Sequence, residues 1–302
     1  MTDSTATTGT TTTTYTCRWC RSTGDGGGAT CTSCGAPVRV AEVTTSSGWE
    51  KLPPIPDLAR IQFGQSHVQV EGEFVPVADF TLADGDSIYF SHHTILWQDT
   101  RTTLDALSRK GMIKRLRAGM PSVLAQATGP GRIALSEDRP GELIGVPIQR
   151  GSGIDVREHH FLAATSPVQF EALATNVWFV TGSGDDKETH YPLGRYVDRF
   201  TSPDEHGLLL IQSGGNAFMR DLQVGETMLL KPPSLLAKDM SVDMLLHLEH
   251  PTSEGWTSSR ANRFVWLRLQ GPGRVWVQSQ YEHFEDPGTS LNSMSNHTEQ
   301  HW

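Results

Sequence analysis

Two stretches far apart in the chain share one pattern of residue classes. "GDSIYFSHHTILWQD", from Gly85, aligns without a gap on "GETMLLKPPSLLAKD", from Gly225. In each, an acidic residue follows the Gly, then a hydroxyl residue, three apolar residues, a break that ends in the His or Pro pair, a hydroxyl residue, two apolar residues and, after two more, a closing Asp, Asp99 or Asp239. A third copy begins at Gly141 in "PGELIGVPIQRGSGIDVREHHFLAAT", with about ten extra residues before its apolar run. A chain that repeats a unit folds as repeated units, each burying its apolar face against a neighbour. Two "GPGR" stretches, at Gly129 and Gly271, predict type II turns with Pro at the second position and Gly at positive φ, each opening a strand.

The segments around these copies are short, rich in β-branched and aromatic residues, and punctuated by Gly and Pro. "HVQVEGEFVPV", "NVWFV", "LLLIQ", "FVWLRLQ" and "RVWVQS" are examples. One run, "RTTLDALSRKGMIKRL" at about 101–116, has helical spacing through Leu104, Leu107, Ile113 and Leu116. The sequence therefore predicts an all-β fold of repeated modules with one inserted helix, spanning 57–285. A disordered Thr-rich tail at 1–14, a cysteine ribbon at 15–40 and a polar linker at 41–56 precede it, and a loose tail at 286–302 follows.

Adjacent histidines, His92 with His93 and His159 with His160, invite a metal-enzyme reading. The alignment opposes it, because His92 and His93 fall on Pro232 and Pro233, which cannot bind metal. Adjacent residues on a strand also point to opposite faces. Both pairs are expected at chain reversals.

The metal motif lies elsewhere. "CRWCRSTGDGGGATCTSCGAP" sets Cys17, Cys20, Cys31 and Cys34 as two CxxC pairs separated by ten residues. Each pair brings two thiolates to one side of an ion, and four sulfurs complete the closed tetrahedral shell of a structural Zn2+. Gly35 can relieve crowding where the chain curls round the metal. Two disulfides or a redox pair are the competing readings of the same cysteines. Trp19 either shields the metal or anchors a partner.

At 302 residues the chain can bury a core without staples. All four cysteines lie within 17–34, which fits a reducing compartment better than a disulfide framework. A formal charge of −9 and a pI near 5.7 argue against a surface built to grip nucleic acid or anionic lipid. No apolar run approaches the ~18 residues that span a bilayer, and the N-terminus lacks the basic and apolar segments of a secretory signal. A cytoplasmic location is expected.

"GPGRIALSEDRPGELI", "REHHFLAAT", "GLLLIQSGGNAFMRDLQVGETMLL" and "GPGRVWVQS" together resemble the bacterial branch of the altered inheritance of mitochondria protein 24 family. The resemblance runs from about Gly48 to Glu285. It implies a double-stranded β-helix-like module, similar to that of the trp RNA-binding attenuation protein, repeated within one chain. It also implies a symmetric ring-like homo-oligomer, with a trimer favoured. It supplies no catalytic residues and leaves the ribbon outside the shared region.

The reading that follows is a non-enzymatic oligomeric scaffold or binding protein, with the zinc ribbon docking a protein partner. A nucleic-acid alternative draws on Arg101, Arg109, Lys110, Lys114, Arg115 and Arg117. A metal-dependent β-helix enzyme would use His247 and Glu249, whose alternate spacing puts both on one strand face; His283 and Glu285 form an equal decoy. No phosphate loop or G-x-S-x-G elbow is present.

Overall fold

The computed structural model describes residues 14–17, 22–25, 30–36, 48–52, 55, 58–107, 124–181, 187–249 and 264–280. Its architecture is all-β, and every named strand pair is antiparallel.

One pairing order of six strands recurs three times. The first set is Val77–Leu82, Ser87–Ser91, Ile95–Gln98, Thr103–Leu107, Leu124–Thr128 and Gly131–Leu135. The second is Leu143–Ile148, Ser152–Arg157, Phe161–Thr165, Gln169–Ala174, Tyr196–Ser202 and Gly207–Gln212. The third is Ala217–Leu222, Thr227–Leu230, Leu235–Asp239, Asp243–Glu249, Phe264–Gln270 and Gly273–Gln278. In every set the sixth strand lies between the first and third, and the fifth between the second and fourth. Each third strand also shifts register against its sixth, a bulge shared by all three copies.

The copies are joined by strand pairing. Ser87–Ser91 of the first pairs with Phe161–Thr165 of the second, and Ser152–Arg157 of the second pairs with Leu235–Asp239 of the third. The result is four main sheets with three apolar cores between them. Alternation along the inner strands feeds two cores at once. In "GLLLIQ", Leu208 and Leu210 enter one core while Leu209 and Ile211 enter the next. Such strands read as unbroken apolar runs because neither face meets water.

The turn glycines locate the repeat. Gly85, Gly151 and Gly225 all have positive φ, at 81°, 75° and 78°, in tight turns where a side chain would be strained. The residue after each donates its N–H back three positions, from Asp86 to Ala83 O, Ser152 to Gln149 O and Glu226 to Gln223 O. The middle counterpart of Gly85 is therefore Gly151, ten residues beyond the expected Gly141. The intervening stretch holds Leu143–Ile148, the first strand of its copy.

Two further expectations are corrected. Both GPGR stretches have a cis Gly–Pro bond, so neither is a type II turn, which carries a trans Pro at its second position. The helix expected at about 101–116 is not formed over its first part. Thr103–Leu107 is a strand paired along its length with Leu124–Thr128, and this long-range ladder overrides the local apolar spacing. Residues 108–123 lie outside the described residues. The expected linker contributes Glu50–Lys51, an added strand beside Phe218 and Met219. The connection between fourth and fifth strands is the longest in each copy, at 108–123, 175–195 and 250–263.

The junction between second and third copies carries a buried ionic cluster. Asp155 sits directly opposite Lys238, with Nζ–Oδ2 at 2.9 Å, and the Arg199 guanidinium binds the same carboxylate at 2.7 and 3.0 Å. Burial raises the Asp155 pKa, but hydrogen bonds and charge from Arg199 and Lys238 outweigh it and hold the group below its ordinary value. With the folded pKa depressed, the stabilisation is present at neutral pH and lost as pH falls through the folded value. Lys238→Ala leaves Asp155 short of a partner and is expected to cost on the order of 3 kcal/mol, read by urea unfolding at pH 7. The same variant should flatten the loss of stability below pH ~4.

Candidate functional site

The cysteine motif forms a compact cluster. Cys17, Cys31 and Cys34 bring their sulfurs within 4.8 Å of one another, and this is the sole group of three or more candidate metal ligands among the described residues. Cys17 Sγ and Cys34 Sγ are 3.7 Å apart. Tetrahedral zinc with Zn–S bonds of ≈ 2.3 Å has sulfurs about 3.8 Å apart, so the observed edge fits. The backbone curls as a knuckle requires: Gly35 N–H donates to Cys31 O at 2.8 Å, with Gly35 at φ 72°. Ser22 Oγ approaches Cys31 Sγ at 3.5 Å, a contact that steadies a thiolate. Cys17 and Cys31 are buried and Cys34 is partly exposed. The cluster can hold a metal ion through thiolates of Cys17, Cys31 and Cys34. Cys20 and Trp19 lie outside the described residues.

Both histidine pairs stand at the turn between second and third strands. His92–Thr94 and Pro232–Ser234 are equivalent 3-10 turns, and their hydroxyls close them alike. Thr94 Oγ1 donates to Ser91 O and Ser234 Oγ to Lys231 O, each at 2.7 Å. In the middle copy His160 takes the hydroxyl's place and its Nδ1 donates to Gln212 O at 2.8 Å. Burial and the charge of Arg139 push the His160 pKa down to about 3, so the ring is neutral. The histidine signal in the sequence concealed its neighbours: Arg157 and Glu158, equally part of "REHHFLAA", are also buried.

The other candidates are dispersed. His247 and Glu249 lie on Asp243–Glu249, opposite Trp266 and Phe264, and Glu249 Oε2 accepts from Trp266 Nε1 at 2.9 Å. His283 and Glu285 lie outside the described residues, as do Arg109, Lys110, Lys114, Arg115 and Arg117. Arg101 is exposed and pairs with Asp99 at 2.7 Å. Among the described residues no helix is long and apolar enough to cross a membrane.

An all-β protein of three antiparallel six-strand units, with a cysteine cluster near its N-terminus, is thus defined. The chain belongs to the family described as Mitochondrial biogenesis AIM24, whose model matches residues 68–280. The crystal structure of protein SPYM3_0169 from Streptococcus pyogenes is similar, with a TM-score of 0.54 at 20% sequence identity, covering 72% of this chain and 94% of that one. At that identity the likeness shows the fold. No curated protein matches. The cysteine cluster precedes the family-matched region.

Because the folded His160 pKa lies far below the usual imidazole value, the unfolded chain binds the extra proton first, and stability falls as pH drops from ~6.5 toward the folded value. The His160 ring signals in an NMR pH titration are expected to stay constant between pH 5 and 8.

Proposed function

We propose that this protein is a non-enzymatic scaffold that assembles head to tail into a closed ring of copies, with a zinc ribbon that docks a protein partner. One observation carries the assembly. Each internal junction pairs the second strand of one copy with the third strand of the next, which leaves one unmatched strand of each kind. These are Thr227–Leu230 and Ile95–Gln98, each paired on one side by a single named strand.

The internal junctions share one register. Phe90 opposes Ala163 as Val156 opposes Ala237, and Tyr89 opposes Ala164 as Asp155 opposes Lys238. The equivalent register between two chains sets Leu230 against Trp97 and Leu229 against Gln98. Trp97 and Leu229 are 44% and 42% exposed in the single chain, surface that such pairing would cover. Unpaired strand edges attract another chain, and head-to-tail pairing closes into a ring when the rotation permits. A trimer follows from the family resemblance. The thiolate geometry supports a structural Zn2+, with Cys20 as fourth ligand.

Light scattering or native mass spectrometry of the purified protein is expected to give a trimer. Leu229→Asp, at an exposed position, is expected to yield a monomer with unchanged far-UV circular dichroism. A wild-type monomer at all concentrations would overturn the ring.

Metal analysis is expected to find one zinc per chain, lost in Cys31→Ala while the trimer persists. A full-length protein that retains no metal after purification without chelators counts against the ribbon.

A further inference from the structure

The middle copy differs from the outer two at its second turn, and the difference coincides with a cleft. In the outer copies the turn residues are Ser91 to Thr94 and Lys231 to Ser234, closed by a hydroxyl. The middle copy has Arg157, Glu158, His159 and His160 in their place. His159 adopts φ 65°, a left-handed conformation costly for a residue with a side chain. Arg157 and Glu158 are 9% and 7% exposed, although charged groups are rarely buried without function or compensation.

A cleft of about 530 Å³ opens beside this turn, within the size range of small-molecule sites. The second and third copies build it together with the link that precedes the second. Arg139 comes from the link between first and second copies, the turn from the second, and Gln278 from the end of the third. Two guanidiniums and the carboxylate of Glu158 face it, and behind the wall Glu137 Oε2 stands 4.0 Å from Arg139 Nη2. Arg157 Nη1 donates to Pro233 O at 2.8 Å, and Gln278 Nε2 donates to the same oxygen at 3.1 Å. Arg139 donates through Nη2 to His159 O, which ties it to the strained turn. Its Nε is buried with no hydrogen-bond acceptor among the described residues. That nitrogen is shut off from solvent, so an incoming oxygen would meet the terminal nitrogens of this partly exposed side chain, which offer paired N–H donors.

We propose that this cleft binds a small oxyanion, a molecule bearing a carboxylate or phosphate group, held chiefly by Arg139 and Arg157. Guanidinium forks match both groups, whose in-plane oxygens accept paired hydrogen bonds. Neutral His160 forms part of the wall, where its ring fixes the turn through Gln212 O. Glu158 sets selectivity, because it repels any anion that does not also offer a donor to its carboxylate. Gly194 lies against that carboxylate: a Cβ there would come within 2.7 Å of Glu158 Oε2.

The test is calorimetric titration of the full chain with inorganic phosphate and, separately, with citrate, at ionic strength matched by chloride. Saturable binding near one per chain is expected for at least one of them at millimolar concentration. Phosphate alone would define a phosphoryl site, and citrate alone a carboxylate site. Arg139→Gln is expected to weaken binding roughly tenfold or more, and Glu158→Gln to strengthen it, as the loss of one attractive and one repulsive charge requires. The opposed signs separate a ligand site from a purely structural cluster, in which both changes would only lower the melting temperature. Failure of both anions to bind the folded wild-type protein, or equal affinity in all three proteins, would overturn the proposal.

Discussion

The pairing of Ser87–Ser91 with Phe161–Thr165 welds half-sheets from different copies into one layer, and the rest of the molecule is arranged around that weld. Once two copies share a sheet, both faces of that sheet must be covered. Tyr89 then fills one core while Ile88 and Phe90 fill another. A residue in such a strand has no solvent-facing alternative, so a slip of one position would exchange the contents of two cores instead of merely exposing one. The second weld fixes its register chemically as well. Asp155 and Lys238 face each other across it in a dry environment, where any other alignment would bury unpaired charge.

This construction explains why the middle copy differs from its neighbours. The outer copies each have one junction inside the chain, whereas the middle copy is flanked on both sides. Its "LIGVPI" strand is buried along its whole length. Its turn meets the linker from the first copy and the end of the third, so residues there are enclosed by protein on several sides. Buried polar groups such as His160 and Arg157 are tolerated at that point because backbone oxygens of Gln212 and Pro233 accept from them. The equivalent turns of the outer copies are closed by the hydroxyls of Thr94 and Ser234.

Much of this was legible in the sequence. The stretches after Gly85 and Gly225 take matching places in the strand order, and their turn glycines, hydroxyl-closed turns and closing aspartates are local features that residue classes encode. The placement of His92 with Pro232 followed from it. The middle copy was misplaced to Gly141 because Glu142 imitates the acidic residue that follows the glycine of the other copies. The true turn at Gly151 has Ser152 there instead. The strand at Thr103–Leu107 was invisible for a different reason. Leu104 and Leu107 satisfy a helical spacing, and only the distant partner Leu124–Thr128 decides otherwise. The cysteine spacing pointed to the clustering of Cys17, Cys31 and Cys34, whereas Arg139 belongs to the cleft solely through the fold.

The longest connection in every copy falls at the same place, between its fourth and fifth strands. The closure entropy of a loop rises only slowly with its length, and those strands are already held side by side by their own ladder. Sequence change can accumulate there at little cost to the sheets. A lineage could thus re-equip the protein three times over, by independent lengthening or replacement at three sites, while leaving the welds that define the architecture untouched.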